Sequence, residues 1–231
     1  MATDQAAGGQ LFDDWPDRYD QWFATPIGKL VKAYEAELLL ELLAPQPDEL
    51  ILDVGCGSGI FTALVGAAKP ALIGLDLSLP MLRRAVDKAA QQYRFSALVG
   101  TMTNLPFADQ CFDRVYSMTA LEFVADARSA INEMNRVTRR GGSVVVTTLN
   151  SLSPWAARRK EKAAAGHSLF AHMTFRSPQE MSRLAPVPAQ IRTAIHFLKD
   201  EDPGQAVLLE EQGRLERKNT GALVALAWQK Q

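Results

Sequence analysis

Short apolar runs alternate with helix-like patterns through the middle of the chain. The runs that predict strands lie at 50–54, 71–75, 95–99, 113–118 and 143–149. Between them, apolar residues recur at helical spacing in 60–65, 79–90 and 127–137, and the last of these patterns stops at Gly141 and Gly142. Alternating strands and helices are typical of a parallel sheet that is covered on both faces. We therefore predict a doubly wound α/β fold.

The N-terminal part has a different pattern. Residues 1–10 are small and polar, so we expect them to be disordered. Residues 11–23 are rich in aromatic side chains with polar residues between them, which predicts a helical lid over the domain. Residues 25–29 are expected to break that helix before a second one, over 31–43, begins.

The C-terminal part predicts two final strands, at 191–198 and 221–229. The charged segment 203–218 between them predicts a surface helix or a long loop. We expect residues 1–231 to form one domain, with 1–30 as an N-terminal lid and 150–176 as an insertion on the substrate side.

The first predicted strand runs into a glycine-rich turn. The segment 52–59 reads LDVGCGSG, so glycine stands at 55, 57 and 59. Glycine permits a sharp turn and lets the backbone come close to a ligand. The helix that follows points its free N–H groups and the positive end of its dipole at the same place. This turn is therefore the predicted ligand site.

Two ligand classes use a glycine turn after the first strand. A dinucleotide site favours G-x-G-x-x-G, but here the third glycine comes one residue early and Ile60 takes its place. Asp53 would repel a pyrophosphate, whereas it would attract the ammonium group of a cationic sulfonium ligand. Asp76 ends the second strand about 20 residues beyond the first glycine, where a carboxylate accepts both ribose hydroxyls. The alternative interpretation is that Asp76 caps the next helix.

Four motifs in order resemble the class I S-adenosylmethionine-dependent methyltransferases, and particularly the small methyltransferases of the ubiquinone and menaquinone biosynthesis type (methyltransferase type 11). They are LDVGCGSG at 52–59, GLDLS at 74–78, LPFADQCFD at 105–113 and EMNRVTRRGG at 133–142. The resemblance implies a seven-stranded, mostly parallel sheet with an antiparallel last strand. It also implies S-adenosylmethionine as the cofactor.

The resemblance assigns the cofactor's methionine and ribose parts to the first two strand ends. Gly55, Cys56 and Gly57 would approach the methionine part through their backbones, with Asp53 near its ammonium group. Asp76 would hold the ribose.

Further positions would complete the cofactor pocket. Leu77 would pack on the adenine. Many relatives carry an acid before the Leu-Pro-Phe motif, where this chain has Thr101, so the adenine amino group is left to the Thr101 hydroxyl or the Met102 backbone. Thr119 would line the methionine pocket, and Tyr19 would close over it from the lid. The alternative for Tyr19 is simple packing of an N-terminal helix.

Methyl transfer needs little from the protein, because the sulfonium carries the reactive methyl group and the protein aligns an acceptor with it. Glu122, His167 and His172 are the candidate bases, each with a structural alternative. The basic run at 158–162 is expected to be a solvated helix face rather than a patch for lipid or phosphate.

Composition limits the partners and the setting. The net charge of the 231 residues is −1, so no overall field favours nucleic acid or an anionic membrane. The two cysteines, Cys56 and Cys111, show no metal spacing and no disulfide framework, which fits a reduced cytoplasmic setting. No apolar stretch approaches the length of a membrane span.

These observations predict methyl transfer from S-adenosylmethionine to a small-molecule acceptor, without a metal. The motifs do not identify the acceptor, because the fold hosts many. Two alternatives remain: a non-catalytic S-adenosylmethionine-binding protein and a nicotinamide-dependent (NAD) oxidoreductase.

Overall fold

The computed structural model describes residue 12 and residues 16–90, 92–166 and 168–231, without the side chains of Pro16, Arg18, Tyr19 and Ser168. The segment 1–10 and the start of the predicted lid lie outside the described residues. The strands are β1 (Leu50–Val54), β2 (Ala71–Asp76), β3 (Arg94–Val99), β4 (Phe112–Ser117), β5 (Thr138–Leu149), β6 (Gln190–Ala194) and β7 (Leu223–Gln229).

In the described part of the chain these strands form one seven-stranded sheet in the order β3-β2-β1-β4-β5-β7-β6. β7 pairs antiparallel with both of its neighbours, and the other pairs are parallel. The predicted fold class is therefore confirmed, including the antiparallel last strand. The sequence order reverses between β1 and β4, which is where open α/β sheets bind ligands outside the carboxyl ends of their strands.

Helices cover both faces of the sheet. They are α1 (Pro16–Ala24), α2 (Pro26–Leu43), α3 (Ile60–Gly66), α4 (Leu79–Ala89), α5 (Ala127–Val137), α6 (Pro154–Ala164), α7 (Ser168–Ala171), α8 (Pro178–Leu184) and α9 (Pro203–Leu215). Successive strand residues point to opposite faces, so Ile51 joins the apolar cluster under α2 and α3 while Leu52 joins the cluster under α5.

The sequence predicted that the glycine pair at 141–142 stops a helix, and this prediction is wrong. α5 ends at Val137, and β5 begins at the next residue. Gly141 has φ 74° within β5, and the pairing of β4 with β5 shifts register in the same region. A Cβ on Gly142 would lie 2.5 Å from the carbonyl oxygen of Asp113. The two glycines therefore allow an irregular, close approach of two strands.

Two other boundaries differ from the prediction. The break after α1 is the single residue Thr25, whose hydroxyl accepts the Gly28 N–H at 3.0 Å and caps α2. β6 ends at Ala194 because Ile195 has φ 68°, which no strand continues. Segment 203–218 contains α9 over Pro203–Leu215, so the predicted helix is present there, and this helix buries Glu210. No helix in the described part of the chain is long and apolar enough to cross a bilayer.

Candidate active site

The glycine turn after β1 has three residues with left-handed backbone. Gly55, Gly57 and Gly59 have φ of 75°, 52° and 78°. A Cβ on Gly55 would lie 2.5 Å from the Ala120 Cβ, and one on Gly59 would lie 2.9 Å from the Ala85 Cβ. A Cβ on Gly57 would meet no described atom within 4 Å. Gly55 and Gly59 thus allow close packing, whereas Gly57 presents bare backbone to open space.

The first N–H groups of the turn bond to the neighbouring strand. Gly55 and Cys56 both donate to the Leu75 carbonyl oxygen, at 2.6 and 3.1 Å. The Cys56 side chain is buried, and this burial raises the pKa of its thiol well above the ordinary value. The part of the turn that remains for backbone approach to a ligand is therefore around Gly57.

The Asp76 carboxylate ties this turn to the end of β2. Its Oδ2 accepts the Gly57 N–H at 2.8 Å, and its Oδ1 accepts the Ser78 N–H at 2.9 Å. The helix cap is Ser78, whose hydroxyl accepts the Met81 N–H, so the interpretation of Asp76 as the cap is wrong. An ionised carboxylate offers about four acceptor positions, so one that holds two N–H groups can also accept hydroxyls. The ribose assignment stays a prediction, and this geometry fits it.

The expected adenine side lies beyond β2 and β3. Leu77 is 37% exposed and offers an apolar surface there. Met102 is buried, and its Cε lies 3.3 Å from the position of a Gly55 Cβ, so the loop after β3 packs against the glycine turn. The Thr101 hydroxyl lies 3.0 Å from that of Thr103.

Asp53 lies beneath the turn, inside the core. It is 2% exposed, and its Oδ2 accepts the hydroxyls of Thr62 at 2.6 Å and Tyr116 at 2.7 Å. Burial raises the pKa of Asp53 to about 7, against the smaller lowering from the two hydroxyls. The predicted contact with an ammonium group stays a prediction, and Tyr116 is a partner that the sequence did not indicate.

Thr119 stands at the carboxyl end of β4, on the other side of the crevice. Its φ of 47° is left-handed, and its N–H donates to the Thr147 hydroxyl at 3.0 Å. Left-handed backbone in a residue other than glycine stores strain and is common at functional sites. The assignment of Thr119 to the methionine pocket stays a prediction.

Helix α1 lies against the cofactor side of the crevice. Phe23 is buried, and its ring packs edge-on against Phe61 of α3. The Asp20 carboxylate accepts the Ser58 hydroxyl and the Lys88 ammonium, each at 2.8 Å. Ser58 belongs to the glycine turn, so the predicted lid is bonded directly to the ligand loop.

The same N-terminal segment also touches the far side of the crevice. The ring of Trp22 packs edge-on against Trp155 of α6 at 6.2 Å, and Phe12 packs against Phe123 at 4.7 Å. Tyr19 belongs to α1, but its side chain lies outside the description, so its contact with the cofactor stays a prediction.

Of the two candidate bases that the structure describes, Glu122 is buried and His172 is exposed. Glu122, in a 3-10 turn at Leu121–Phe123, is 1% exposed and accepts the Thr148 hydroxyl at 3.1 Å. Burial raises the pKa of Glu122 to about 7. His172 is exposed, and its ring bonds to no residue that the structure describes. His167 lies outside the described residues. The catalytic assignments stay predictions.

The basic run at 158–162 is not a uniform solvated face. Arg158 is exposed and pairs with Asp200 at 2.5 Å. Arg159 turns inward, with its guanidinium 5.1 Å from the centroid of the Trp155 ring. The expectation of a solvated face is therefore wrong for Arg159. The spacing gave a usable signal, because residues four apart share a helix face and Trp155 is buried.

Strand order 3-2-1-4-5-7-6, an antiparallel seventh strand and a crevice at the β1–β4 switch together define the class I S-adenosylmethionine-dependent methyltransferase fold. Solved structures support this class. A Thermotoga maritima protein described as a possible histamine N-methyltransferase aligns with a TM-score of 0.74 and 21% identity, covering 96% of this chain and 99% of that one. Geranyl diphosphate C-methyltransferase from Streptomyces coelicolor, solved with S-adenosyl-L-homocysteine, aligns with a TM-score of 0.62 and 18% identity over 85% and 78% of the two chains.

Sequence comparison also finds similarity to methyltransferases. Residues 52–146 match the family model described as a methyltransferase domain. A malonyl-[acyl-carrier protein] O-methyltransferase from Pseudescherichia vulneris is 35% identical over 137 residues, which cover 55% of this chain and 53% of the relative. The enzyme of that name from Salmonella typhimurium is 33% identical over 138 residues, 56% and 54% of the two chains.

Residues 52–146 thus match a methyltransferase domain, as the motifs predicted, and the sheet has the fold of the class I methyltransferases. The matches span about half the length of these relatives. They do not favour the nicotinamide-dependent alternative.

Two glycine substitutions separate packing from ligand approach. Gly57→Ala adds a methyl group in open space, so its stability cost is the left-handed strain of about 1–2 kcal/mol. We expect it to weaken binding of S-adenosylhomocysteine at least tenfold in calorimetry. Gly55→Ala adds the same strain and a clash with Ala120, so we expect a larger fall in Tm. Unchanged affinity in Gly57→Ala would contradict this account of the turn.

The buried Asp53 predicts a pH dependence of stability. Its folded-state pKa of about 7 lies above the ordinary value, so folding takes up a proton and the contribution of Asp53 to stability falls as the pH rises from about 4 to about 7. At about 1.4 kcal/mol per pKa unit, the loss reaches up to about 4 kcal/mol. Asp53→Asn removes the titrating carboxyl group. Denaturant unfolding should therefore show that the free energy of unfolding of the variant rises relative to that of the wild type between pH 5 and pH 8. Parallel stability curves would refute the assignment.

Proposed function

We propose that this protein transfers the methyl group of S-adenosylmethionine to an acceptor that presents a carboxylate, either as a small molecule or as a short acyl group on a carrier. The position of the Asp76 carboxylate beside the open backbone of Gly57 is the observation that supports S-adenosylmethionine as the cofactor. A hydroxyl acceptor and a bare peptide surface there fit a ribose and an aminoacyl chain.

Different residues around the crevice would bind different parts of the cofactor. Asp76 would hold the ribose, Leu77 would cover the adenine, and the turn at Gly57 would receive the methionine part. When bound, S-adenosylmethionine supplies an electrophilic methyl group on a sulfonium. The protein's task is to align the acceptor and to keep water out, for which α1 is already seated across the crevice.

The acceptor half rests on the relatives. Their names describe O-methyl transfer to malonyl-[acyl-carrier protein]. A malonyl thioester has one free carboxylate, and a carboxylate oxygen carries no proton at neutral pH. Such an acceptor needs no general base, which agrees with the exposed position of His172.

A direct test of the cofactor half uses Asp76→Ala. Hydrogen bonds to a charged group contribute about 1.5–3 kcal/mol each, so loss of the carboxylate should weaken S-adenosylhomocysteine binding by tenfold or more in calorimetry. Asp87→Ala is the matched control, because Asp87 is exposed on α4. Circular dichroism establishes that both variants fold. Unchanged binding in Asp76→Ala would refute the ribose assignment.

A transfer assay tests the acceptor half. Wild-type protein with methyl-labelled S-adenosylmethionine should label a malonyl thioester, and the label should be released as methanol on ester hydrolysis. Cofactor binding without transfer to a panel of carboxylate, amine and hydroxyl acceptors would favour the non-catalytic alternative instead.

A further inference from the structure

Arg159 has an unusual environment for an arginine in a basic helical run. Trp155, one turn earlier in α6, is anchored by its indole N–H, which donates to the Phe197 carbonyl oxygen at 2.6 Å. This anchor turns the same face of α6 toward the domain, and Arg159 lies on it. Its Nη1 is shielded from solvent and has no hydrogen-bond partner among the described residues.

Two buried carboxyl groups face this guanidinium. Glu35 of α2 is 5% exposed, and Glu122 is 1% exposed. Both act electrostatically on Arg159, yet neither carboxylate comes within 4.0 Å of its nitrogens. Glu35 makes no hydrogen bond to any part of the chain that the structure describes. The three groups therefore form a buried polar cluster in which Arg159 pairs directly with neither carboxyl group.

The unpaired guanidinium of this cluster favours an anion. Burial and the nearby Glu122 raise the pKa of Glu35 to about 8, and burial raises that of Glu122 to about 7. A raised pKa favours the neutral carboxyl group, and a neutral carboxyl group can donate a hydrogen bond to an anion. Nearby, buried Arg176 is bonded to backbone carbonyl groups, with the Leu121 oxygen at 3.0 Å. A guanidinium left unpaired in the interior is costly, and a bound anion relieves that cost.

The cluster lies next to the cofactor site. Glu122 follows β4 by a few residues, and Ala120 between them packs on Gly55 of the glycine turn. The Trp155 ring that stacks on Arg159 also touches Trp22 of the lid. An acceptor bound at this cluster would have the predicted methionine end of the cofactor on one side and the lid on the other.

We propose that Arg159, flanked by Glu35 and Glu122, binds the carboxylate of the methyl acceptor and orients it toward the cofactor. This inference rests on the proposed function and adds the residue that recognises the acceptor. Arg159 is a positioning residue: it binds the acceptor's charge and leaves the transfer itself to the aligned reactants. The flat guanidinium matches a carboxylate with two parallel hydrogen bonds, which fixes the direction of the group as well as holding it.

The experiment measures binding rather than turnover. The probe is the malonyl thioester of N-acetylcysteamine, whose carboxylate is its only charge, titrated into protein saturated with S-adenosylhomocysteine. We expect Arg159→Gln to weaken probe affinity at least tenfold while S-adenosylhomocysteine affinity changes less than twofold. Arg159→Lys should recover part of the loss, because it keeps the charge without the planar pair of donors. Arg158→Gln is the matched control and should leave both affinities unchanged, because Arg158 pairs with Asp200 at the surface.

A second measurement needs no variant and guards against a misfolded Arg159→Gln. Wild-type protein should bind the malonyl probe at least tenfold more tightly than the corresponding amide, which has the same shape without the charge. Equal affinity for the acid and the amide, or unchanged probe affinity in Arg159→Gln, would overturn the proposal. Tighter binding of an amine analogue would overturn it too and would assign the cluster to a cation held by Glu35 and Glu122. Failure of S-adenosylhomocysteine itself to bind would refute the proposed function instead.

Discussion

The shape of the crevice depends on the hydrogen bonds that the Asp76 carboxylate accepts. It bonds to the N–H of Gly57 on one loop and to the N–H of Ser78 on the next, so the loops after β1 and β2 keep a fixed separation. Hydrogen bonds from backbone N–H groups to a charged carboxylate are stronger than those to a neutral acceptor. The left-handed glycines make this arrangement possible, because only bare backbone fits between β2 and Ala120. A ligand hydroxyl that approaches Asp76 therefore meets a carboxylate that is already oriented.

The two sides of the crevice around Asp76 differ in their chemical character. The β1–β2 side presents backbone and an apolar surface at Leu77, which suits a nucleoside. The β4–β5 side presents buried ionisable groups, Glu122 and Arg159, which suit a small charged acceptor. The switch in strand order between β1 and β4 brings the two sides together, so the topology would place the proposed cofactor and acceptor sites next to each other.

The sequence predicted most of the framework because its signals are local. The apolar runs predicted β1 to β4 with bounds close to those in the structure. The glycine turn with Asp76 predicted the position of the candidate ligand loop. The start of β5 was missed, because Gly141 and Gly142 look like a helix stop unless their pairing with β4 is known. Glu35 and Arg159 were missed for a related reason. Each lies on the apolar face of its helix, at positions far apart in the chain, and only tertiary packing brings their charges together.

Helix α1 links parts of the molecule that would otherwise be independent. Its Asp20 is bonded to Ser58 in the nucleoside half, and its Trp22 rests on Trp155 in the opposite half. This helix of nine residues therefore contacts both sides of the crevice. A displacement of α1 that broke both sets of contacts would uncover both sides of the crevice at the same time.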